Sequence, residues 1–394
     1  MEKLAFTSWV RKILAVVFLL TLTGMTGLFA IDIVLVSPQL GPVGNPVVDA
    51  IQDELDRVFR EESAPYKDLI EGIDSNPRKM IGAFATSSIF SSTGASLRTF
   101  QGYNAFALTV GAMAGVQLPV SINSMYRDME YIADRLFDDI NRDGDLRVGM
   151  NPQFLNAQLG INTSKFLLKG LYVGLKGGYM SLPPLNLDDF QMSFQTWSIG
   201  GMINYQLIPQ IRVLGGIFVW RGLNIGTGFV HQRTSFNMDV ALIPEDGSTS
   251  DLVNIGETGA TLDLGDPTLR FRFGVYTYTV PLEAVTSIRL LGFMNFSIGG
   301  GVDFGFGSAS MRGSLDTRIE VKNLPSVESV RLYQVQPGRM YVSLGGSNTP
   351  TLVNPKVMVS LGISAGSVII LDIPVTYYFL NNGYNVGITF GVAR

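Results

Sequence analysis

The sequence predicts an all-β fold, a transmembrane antiparallel β-barrel, and three observations lead to this prediction. Apolar side chains alternate with small or polar ones along many segments, which is the two-residue period of a β-strand. These segments are roughly 10–18 residues long, enough for a tilted strand to cross a bilayer. The 394 residues are 16% charged and include 44 glycines, whereas soluble domains average about 25% charged residues and about 7% glycine.

Composition also excludes several classes of protein. The chain contains no cysteine, which rules out a disulfide scaffold, a cysteine zinc site and a cysteine-anchored lipoprotein. The formal net charge of −4 provides no basic surface, so we expect no nucleic-acid partner. With 46% hydrophobic residues, the chain is too apolar to be intrinsically disordered.

Residues 1–30 have the pattern of a secretory signal peptide. Lys3, Arg11 and Lys12 precede an uncharged apolar segment, and Ala30 closes a plausible cleavage site. We therefore predict export across an inner membrane. For a protein built of membrane-spanning strands, this predicts the outer membrane of a Gram-negative bacterium as the destination.

The alternation is clearest in the second half of the chain. In residues 287–307 the apolar side chains, such as Phe296, occupy even positions, and polar ones, such as Ser297, occupy odd positions. Segments 357–364, 369–379 and 384–393 alternate in the same way. A soluble β-sandwich also alternates, but its strands are usually only about 5–6 residues long. We expect the apolar face to meet lipid and the small, polar face to line a lumen.

The barrel is predicted to occupy residues 79–394 and to have about 14 strands, with 12 or 16 as alternatives. Barrels of this kind have even strand numbers, short periplasmic turns and longer outer loops. The acidic connection 244–267 is expected to be one of these outer loops. The predicted strands are 80–90, 101–118, 153–162, 166–180, 190–206, 209–222, 229–243, 268–281, 286–304, 311–322, 330–345, 355–365, 367–380 and 383–393.

Two segments have helical periodicity. Within an N-terminal segment, 31–78, residues 46–73 place Val48, Ile51 and Leu55 on one stripe. This helix is predicted to rest on the barrel rim or to plug the lumen. A second helix, near residues 123–140, is predicted to lie at the periplasmic end.

The second helix leads into half of a calcium-binding motif. Oxygen-bearing side chains stand at the first, third, fifth and seventh positions of a loop whose sixth residue is Gly144, as in an EF-hand. The twelfth position is Met150, where a complete motif has glutamate. The alternative is an Asp-Gly turn between helix and strand. The candidate calcium ligands are Asp139, Asn141, Asp143 and Asp145.

No catalytic motif stands out in the sequence. The single histidine, His231, has no accompanying serine or acid motif, and a cysteine nucleophile is impossible. We therefore predict that the protein is not an enzyme and has no cofactor apart from the possible calcium ion.

Charged residues on five predicted strands are the candidate site. If the polar face of each strand points inward, these residues line the lumen and either select solutes or pair across strands. The predicted lumen-facing residues are Arg270, Arg272, Arg289, Asp303, Arg312, Asp316, Arg318, Glu320 and Asp372.

In its order of elements the chain resembles the outer-membrane long-chain fatty acid transporters. It shares with them a leader, a helical N-terminal segment, about fourteen strands, and Asn76 and Pro77 ahead of the first predicted strand. The resemblance implies passive uptake of hydrophobic substrates through a barrel closed by an N-terminal hatch. It covers the architecture of the chain and does not extend to individual binding residues.

Two other functions remain open at this stage: an open porin for polar solutes, and a surface adhesin or structural barrel that acts through its outer loops. The expected partners are outer-membrane lipid, a small-molecule substrate and the outer-membrane assembly machinery, with a monomer favoured.

Overall fold

A computed structural model of the chain describes most of the predicted barrel and part of the N-terminal segment. The described residues are 29–41, 46–71, 77–93, 102–118, 149–164, 166–187, 190–213, 217–241, 252–254, 261–263, 268–323, 334–365 and 368–394.

The described residues form two helices and an antiparallel sheet, so the all-β class is confirmed. The helices are α1 (Pro46–Glu71) and α2 (Pro77–Thr93). The strands are β1 (Phe29–Val36), β2 (Gln39–Gly41), β3 (Phe106–Gln117), β4 (Gly149–Asn162), β5 (Leu171–Leu187), β6 (Phe190–Ile208), β7 (Ile211–Val213), β8 (Phe218–Ala241), β9 (Leu252–Asn254), β10 (Thr261–Asp263), β11 (Thr268–Leu290), β12 (Met294–Lys322), β13 (Gln334–Gln336), β14 (Gly338–Asn348), β15 (Val353–Ala365), β16 (Ile369–Tyr378) and β17 (Gly383–Ala393).

A closed ring lies within this sheet. In the described part of the chain the sheet has 15 strands, of which 10 close the ring in the order β12, β11, β8, β6, β5, β4, β3, β17, β16, β15. The long strand β12 makes the closure: residues 294–304 pair with β15, and residues 309–319 pair with β14. Ring strands next to each other are therefore antiparallel and hydrogen-bonded all the way round, as a barrel in lipid requires.

The ring has an apolar outside and a polar inside. Ile298 on β12 is 56% exposed, whereas the neighbouring Ser297 is 5% exposed. Other exposed side chains of the outer surface are Leu175, Ile199, Ile203, Ile225, Phe229, Leu282, Phe296, Val359, Leu361, Ile363, Leu371, Ile373, Val386, Ile388 and Phe390. Other buried residues of the inner surface are Asn156, Gln158, Asn204, Asn224, Thr277, Thr279, Asn295, Asn354, Ser360, Asn385 and Thr389. This is the distribution of a transmembrane barrel.

Aromatic residues bound the apolar band at both ends. Trp220 lies near one end of β8, where its indole Nε1 donates to Thr286 Oγ1 at 2.8 Å. Near the other end, Arg233 of β8 is in register with Trp197 of β6 and Tyr276 of β11. The 13 residues from Trp220 to Arg233 span about 34 Å along the barrel axis at 3.4 Å per residue and a tilt of about 40°. That length matches the hydrocarbon core of a bilayer.

Five strands continue past the second aromatic row, and there the two faces exchange character. On β12 the inner side chains change from Asn295 and Ser297 to Met311, Leu315 and Ile319, all buried. The outer side chains change from Phe296 and Ile298 to the exposed Arg312, Arg318 and Glu320. We call these extensions, residues 181–187, 190–195, 235–241, 268–274 and 310–322, together with β14 and β1, the collar. On the extension of β12 the apolar inside and polar outside are those of a protein surface in water.

Several predicted strand boundaries are wrong. Segment 80–90 is helical and belongs to α2. Segments 209–222 and 229–243 are joined in the single strand β8, apart from the short β7. Segments 268–281, 286–304 and 311–322 are two strands, β11 and β12, whose turn lies at residues 291–293.

The alternation in the sequence does not reveal the turn between β11 and β12, because the turn has three residues. Leu290 pairs with Met294, so the even positions point outward on both strands. The alternation therefore continues through the turn without a change of phase. The remaining signal is Gly292, which has φ of 77° and follows Leu291 with φ of 53°. Positive φ at two successive residues is the requirement of a tight hairpin turn.

The N-terminal segment begins with two strands. β1 pairs with β14, and β2 pairs with β13, so residues 31–78 are not helical throughout. Of the predicted leader, the described part is Phe29 and Ala30, which begin β1. Helix α1 buries Val48, Ile51, Leu55, Val58 and Phe59 on one side. Neither of the described helices is long and apolar enough to span a membrane.

Candidate functional site

Helix α2 lies inside the barrel, at the level where the ring meets the collar. It contacts strands from all sides, namely β3, β4, β8, β11, β12, β14 and β17. Pro77 is its first residue, a position where proline costs no hydrogen bond. Five hydroxyl groups of its second half donate back to carbonyl oxygens three or four residues earlier, as Thr86 does to Gly82 at 2.8 Å. The helix therefore brings these hydroxyls into the lumen without an unmet hydrogen bond.

Four strand glycines make room for α2. A Cβ atom on Gly115 would lie 2.4 Å from both Ser87 O and Ser91 N. A Cβ on Gly149 would lie 2.3 Å from Ala83 O, and one on Gly305 or Gly383 would lie 2.0 Å from the side chain of Ile89 or Phe90. Any larger residue at these positions would push the helix away from the wall. The four glycines therefore leave the space in the barrel wall that atoms of α2 occupy.

The collar end of α2 is held by apolar packing. Ile81 and Ala85 form a buried cluster with Phe273, Val275 and Met311 of β11 and β12. The Phe84 ring lies 5.0 Å from the Phe273 ring, centroid to centroid. Burial of these side chains supplies the hydrophobic contribution to docking of the helix.

The lumen end of α2 is held by neutral hydrogen bonds. Asn151 Nδ2 donates to Ser88 Oγ at 2.7 Å, and Gln232 Nε2 donates to Ser91 Oγ at 3.2 Å. Asn385 Nδ2 donates to the carbonyl of Phe90 at 2.6 Å. Asn151 also donates to Thr234 at 2.8 Å, and Gln153 donates to Gln232 at 3.1 Å. The network extends from the helix to β4, β8 and β17, so it closes the cross-section of the lumen around α2.

Tyr378 connects α2 with a buried group of charges. The Phe90 ring stacks on the Tyr378 ring at 3.9 Å between centroids, and Thr93 Oγ1 lies 2.9 Å from the Tyr378 hydroxyl. The same hydroxyl donates to Asp303 Oδ2 at 3.0 Å. The last turn of the helix is thereby linked to the inner wall at β12 and β16.

The charges form a compact group on the inner wall. Lys356 Nζ lies 2.7 Å from Asp303 Oδ1 and also bonds Glu283. Lys176, buried on β5, interacts electrostatically with Glu283 and Asp303. Two lysines and two carboxylates balance, so the group carries no net charge. Charges this deep in a membrane protein are tolerated when they are paired in this way.

The opposite end of the lumen is also closed. Tyr103, Ala107, Tyr172, Ile370 and Ala393 form a buried cluster there, with the two tyrosine rings 5.1 Å apart. At the same end Arg221 donates from Nη1 to the carbonyl of Gly102 at 2.9 Å. Side chains therefore fill the lumen at both ends.

The structure separates the predicted lumen-facing charges into two groups. Asp303 and Asp372 are fully buried on the inner wall, and Arg289 is partly buried on the inner face of β11. Asp372 accepts a hydrogen bond from Ser360. The prediction is wrong for six residues, which are exposed on the outer face of the collar: Arg270, Arg272, Arg312, Asp316, Arg318 and Glu320. Beyond the membrane the outer face meets water, so polar side chains point outward there.

Lys176, Glu283, Lys356 and Tyr378 are not among the site residues that the sequence predicts. Lys176 and Lys356 each stand on the small, polar face of an alternating strand, flanked by apolar residues. An isolated lysine at such a position was the available signal. Nothing in the sequence indicates that the two lysines share one group of carboxylates, because β5 and β15 are not neighbours in the ring.

The other predicted sites lie elsewhere. Asp139, Asn141, Asp143, Asp145 and the predicted helix near 123–140 fall outside the described residues, so the calcium site stays a prediction. His231 is at the aromatic row, with its ring 4.6 Å from Tyr278 and 5.1 Å from Trp197 and its Nδ1 3.1 Å from the carbonyl of Thr277. It lies on the outer surface, away from the lumen charges.

Comparison with solved structures gives similar barrels. The translocator domain of the autotransporter NalP from Neisseria meningitidis has 7% identity and a TM-score of 0.31, over 73% of this chain and 87% of that one. The toluene transporter TbuX from Ralstonia pickettii has 9% identity and a TM-score of 0.23, over 80% and 98%. Ail of Yersinia pestis has 8% identity and a TM-score of 0.21, over 74% and 98%. The likeness to such outer-membrane barrels, hydrophobic-compound transporters among them, concerns architecture alone.

Sequence comparison gives a more specific result. No curated protein matches the chain. A family model described as Lsa36-like matches residues 43–393, which include α1, α2 and every strand of the ring. The chain therefore belongs to the Lsa36-like family.

Proposed function

We propose that the protein is a closed barrel of the bacterial outer membrane that anchors the collar at the cell surface and presents it there. The observation that carries the proposal is the position of α2 in the lumen, with Phe90 stacked on Tyr378 and the helix fitted to glycines of the wall. Because the helix occupies the lumen, the barrel would act as a membrane anchor. The exposed collar would make the contacts outside the membrane. This is the surface or structural alternative that the sequence left open.

The filled lumen favours this function over an open porin. A barrel of eight strands is just filled by its own side chains, and wider barrels are often plugged. The lumen of this ring of 10 strands contains both inward-pointing side chains and the helix α2. The buried charge group and the amide network add polar contacts across the lumen, where a porin would have water.

The connections between strands support an orientation with the collar outside. At the end away from the collar the ring strands are joined by residues 163–170, 209–217, 291–293 and 366–368. At the collar end two connections are short, 188–189 and 379–382, and the other three are much longer, 118–148, 242–267 and 323–352. Outer-membrane barrels have their short turns in the periplasm and their long loops outside. The longest connections and the collar would then share the outer surface, and residues 123–140 would lie outside the cell instead of at the predicted periplasmic end.

Passive transport of a hydrophobic compound remains a second candidate. It is favoured by the way α2 is held, since its lumen end bonds the wall through neutral amides and hydroxyls such as Asn151 and Gln232. Neutral hydrogen bonds exchange readily with water, so the helix could leave without separating an ion pair. Fatty acid as the substrate stays a prediction based on resemblance.

A cross-linking experiment separates the two functions. The chain has no cysteine, so Ser88→Cys with Asn151→Cys gives a single disulfide that ties α2 to β4. Conductance in planar bilayers and uptake of a fluorescent fatty acid are measured with the bond oxidised and reduced. An anchor shows neither activity in either state. Passage that appears only on reduction assigns transport through displacement of α2, and large steady conductance in both states contradicts a closed barrel.

A labelling experiment tests the orientation. Glu320→Cys places a thiol on the exposed outer face of the collar, near the end of β12 that is farthest from the membrane. A membrane-impermeant maleimide should label it on intact cells. Labelling that requires permeabilised cells would place the collar in the periplasm and contradict surface presentation.

A further inference from the structure

We propose that the outer face of the collar, directly beyond the aromatic row, binds the phosphate-bearing sugar headgroup of a glycolipid in the adjoining leaflet. The proposal concerns the outside of the barrel. It therefore rests on the surface orientation proposed above, but not on whether the lumen stays closed.

The outer surface of β6, β8, β11 and β12 is organised in rows across the strands. The aromatic row contains Tyr179, Trp197 and Tyr276, with Arg233 lying over the Tyr276 ring at 5.0 Å from its centroid. Tyrosine, tryptophan and arginine together mark the boundary between hydrocarbon and headgroups. Whatever binds the next two rows is therefore at the level of the lipid headgroups.

The next row toward the collar is made of small residues. Ser235, Gly274, Ser310 and Ser347 stand side by side on β8, β11, β12 and β14. A Cβ on Gly274 would meet only Ser310 Oγ, at 3.7 Å. These small residues leave a shallow depression on the outer surface, which we call the ledge. It measures about 7 Å along the strands, because alternate residues of a strand are about 6.8 Å apart. Its hydroxyl groups can donate to an anion.

Arginines lie beyond the ledge in an arrangement that a bound anion would stabilise. Arg272 of β11 and Arg312 of β12 are direct cross-strand partners, and like charges in that relation destabilise a sheet. Arg272 is neutralised by Asp239 at 2.7 Å. Among the described residues Arg312 makes no ion pair, and neither does Arg233 below the ledge. Guanidinium groups bind phosphate through paired hydrogen bonds.

A hollow beside the arginines is suited to sugar hydroxyls. It has a volume of about 310 Å³ and opens on the outer surface. Five of its six lining residues have polar side chains, which combine amide, hydroxyl, carboxylate and guanidinium groups: Pro184, Gln191, Ser193, Asn237, Asp239 and Arg272. Amides and carboxylates both accept hydrogen bonds from hydroxyls, and amides also donate. Phosphate sites next to a hydroxyl-binding hollow favour a phosphorylated glycolipid over a simple phospholipid.

The chain offers a matched control pair. Arg318 and Arg339 are also direct cross-strand partners on the outer face. Arg339 bonds both carboxylate oxygens of Asp316 at 2.9 Å, and Arg318 lies 3.1 Å from Glu320. Each arginine of this pair already has a carboxylate. The pair also lies farther from the membrane, since Arg318 is about 20 Å along β12 from Arg312.

The test compares two double variants by native mass spectrometry after purification in detergent. Arg233→Gln with Arg312→Gln removes the arginines without a carboxylate, and Arg318→Gln with Arg339→Gln is the control. The probes are a bisphosphorylated glucosamine lipid (lipid A), its dephosphorylated form, phosphatidylglycerol and inorganic phosphate. The first variant should bind lipid A about tenfold more weakly than the native chain, and the control should stay within about twofold.

Each outcome decides the proposal. All four arginines are on the outer surface, and heat-modifiable migration on gels verifies that both variants fold before binding is compared. Preference for lipid A over its dephosphorylated form and over phosphatidylglycerol supports a phosphorylated sugar headgroup. Equal binding of phosphatidylglycerol overturns the role of the sugar. Equal loss in both variants, or binding that survives removal of Arg233 and Arg312, overturns the site.

Discussion

Ile298 and Arg312 project from the same outer face of β12, in one continuous strand, and meet different surroundings. Ile298 is 56% exposed within the apolar band, and Arg312 is exposed beyond the aromatic row. Between them the inner face changes in the opposite sense, from Asn295 and Ser297 to Met311 and Leu315. The residue types on both faces of this single strand therefore change where the strand leaves the membrane.

An arginine scan of the outer face of β12 tests where the membrane ends. Val302→Arg, on the outer face of β12 midway between the levels of Trp220 and Tyr276, should lower the free energy of unfolding by roughly 2–4 kcal/mol, because it places a charge in the middle of the hydrocarbon core. Ser310→Arg, on the same face but beyond the aromatic row, should change it by less than about 1 kcal/mol. Urea titration in lipid vesicles measures both. Equal costs would mean that the apolar band extends over the collar.

A larger residue at Gly115 should displace α2. A Cβ there would lie 2.4 Å from two backbone atoms of the helix, so we expect Gly115→Val to cost about 1–3 kcal/mol through overpacking. Protease sensitivity of α2 should rise in the same variant. The control is Gly300→Val on the lipid-facing side, where the nearest atom is 3.5 Å away. If both variants behave alike, the glycine does not position the helix.

Removal of one buried lysine should be far more harmful than removal of an exposed arginine. Lys356→Met leaves Asp303 and Glu283 without their closest cation in the lumen, and breaking a buried pair costs about 3–5 kcal/mol. Arg318→Met, which removes an exposed cation instead, breaks the exposed pair with Glu320 in the collar and should have little effect. Comparable stabilities of the two variants in denaturant titration would show that the lumen group is not energetically coupled.

The edge of the collar should loosen in acid. Hydrogen bonds from Arg339 hold the pKa of Asp316 below its ordinary value. A lowered pKa in the folded state means that the contribution to stability is present at neutral pH and is lost as the pH falls through that lowered pKa. The protection of β14 amides from hydrogen exchange, measured relative to the intrinsic exchange rate at each pH, should therefore fall in this acidic range. In Asp316→Asn this loss of protection should be absent, and an unchanged acid response would exclude this pair as its cause.

The strands nearest the C-terminus could be predicted well from sequence alone. In β15, β16 and β17 the outer residues are mostly apolar and the inner residues, apart from Met358 and Ile370, are small or polar, and the structure has the same faces. These strands have 10 to 13 residues, so they lie almost entirely in the membrane. For such strands one environment acts on each face along the whole length.

The plug could not be predicted in the same way. The hydrophobic pattern of α1 marks it as amphipathic, and the sequence therefore predicted residues 46–73 to rest on the rim or to plug the lumen. The helix inside the lumen is α2, whose surroundings differ from side to side and from end to end: Phe273 and Met311 near Ile81, but Gln232 near Ser91. A helix buried among both apolar and polar walls has no single apolar stripe, which removes the signal that sequence analysis uses.

What the sequence by itself determined is the two-residue period of each strand, and hence which side chains share a face. It could not determine which face is inside, because in this protein that assignment reverses along the strand. Phe296 and Arg312 both point outward, one into lipid and one into water, while hydrophobicity alone places them on opposite sides. Only the tertiary structure, by placing α2 against the inner face and ending the apolar band at Trp197 and Tyr276, decided where lipid gives way to water.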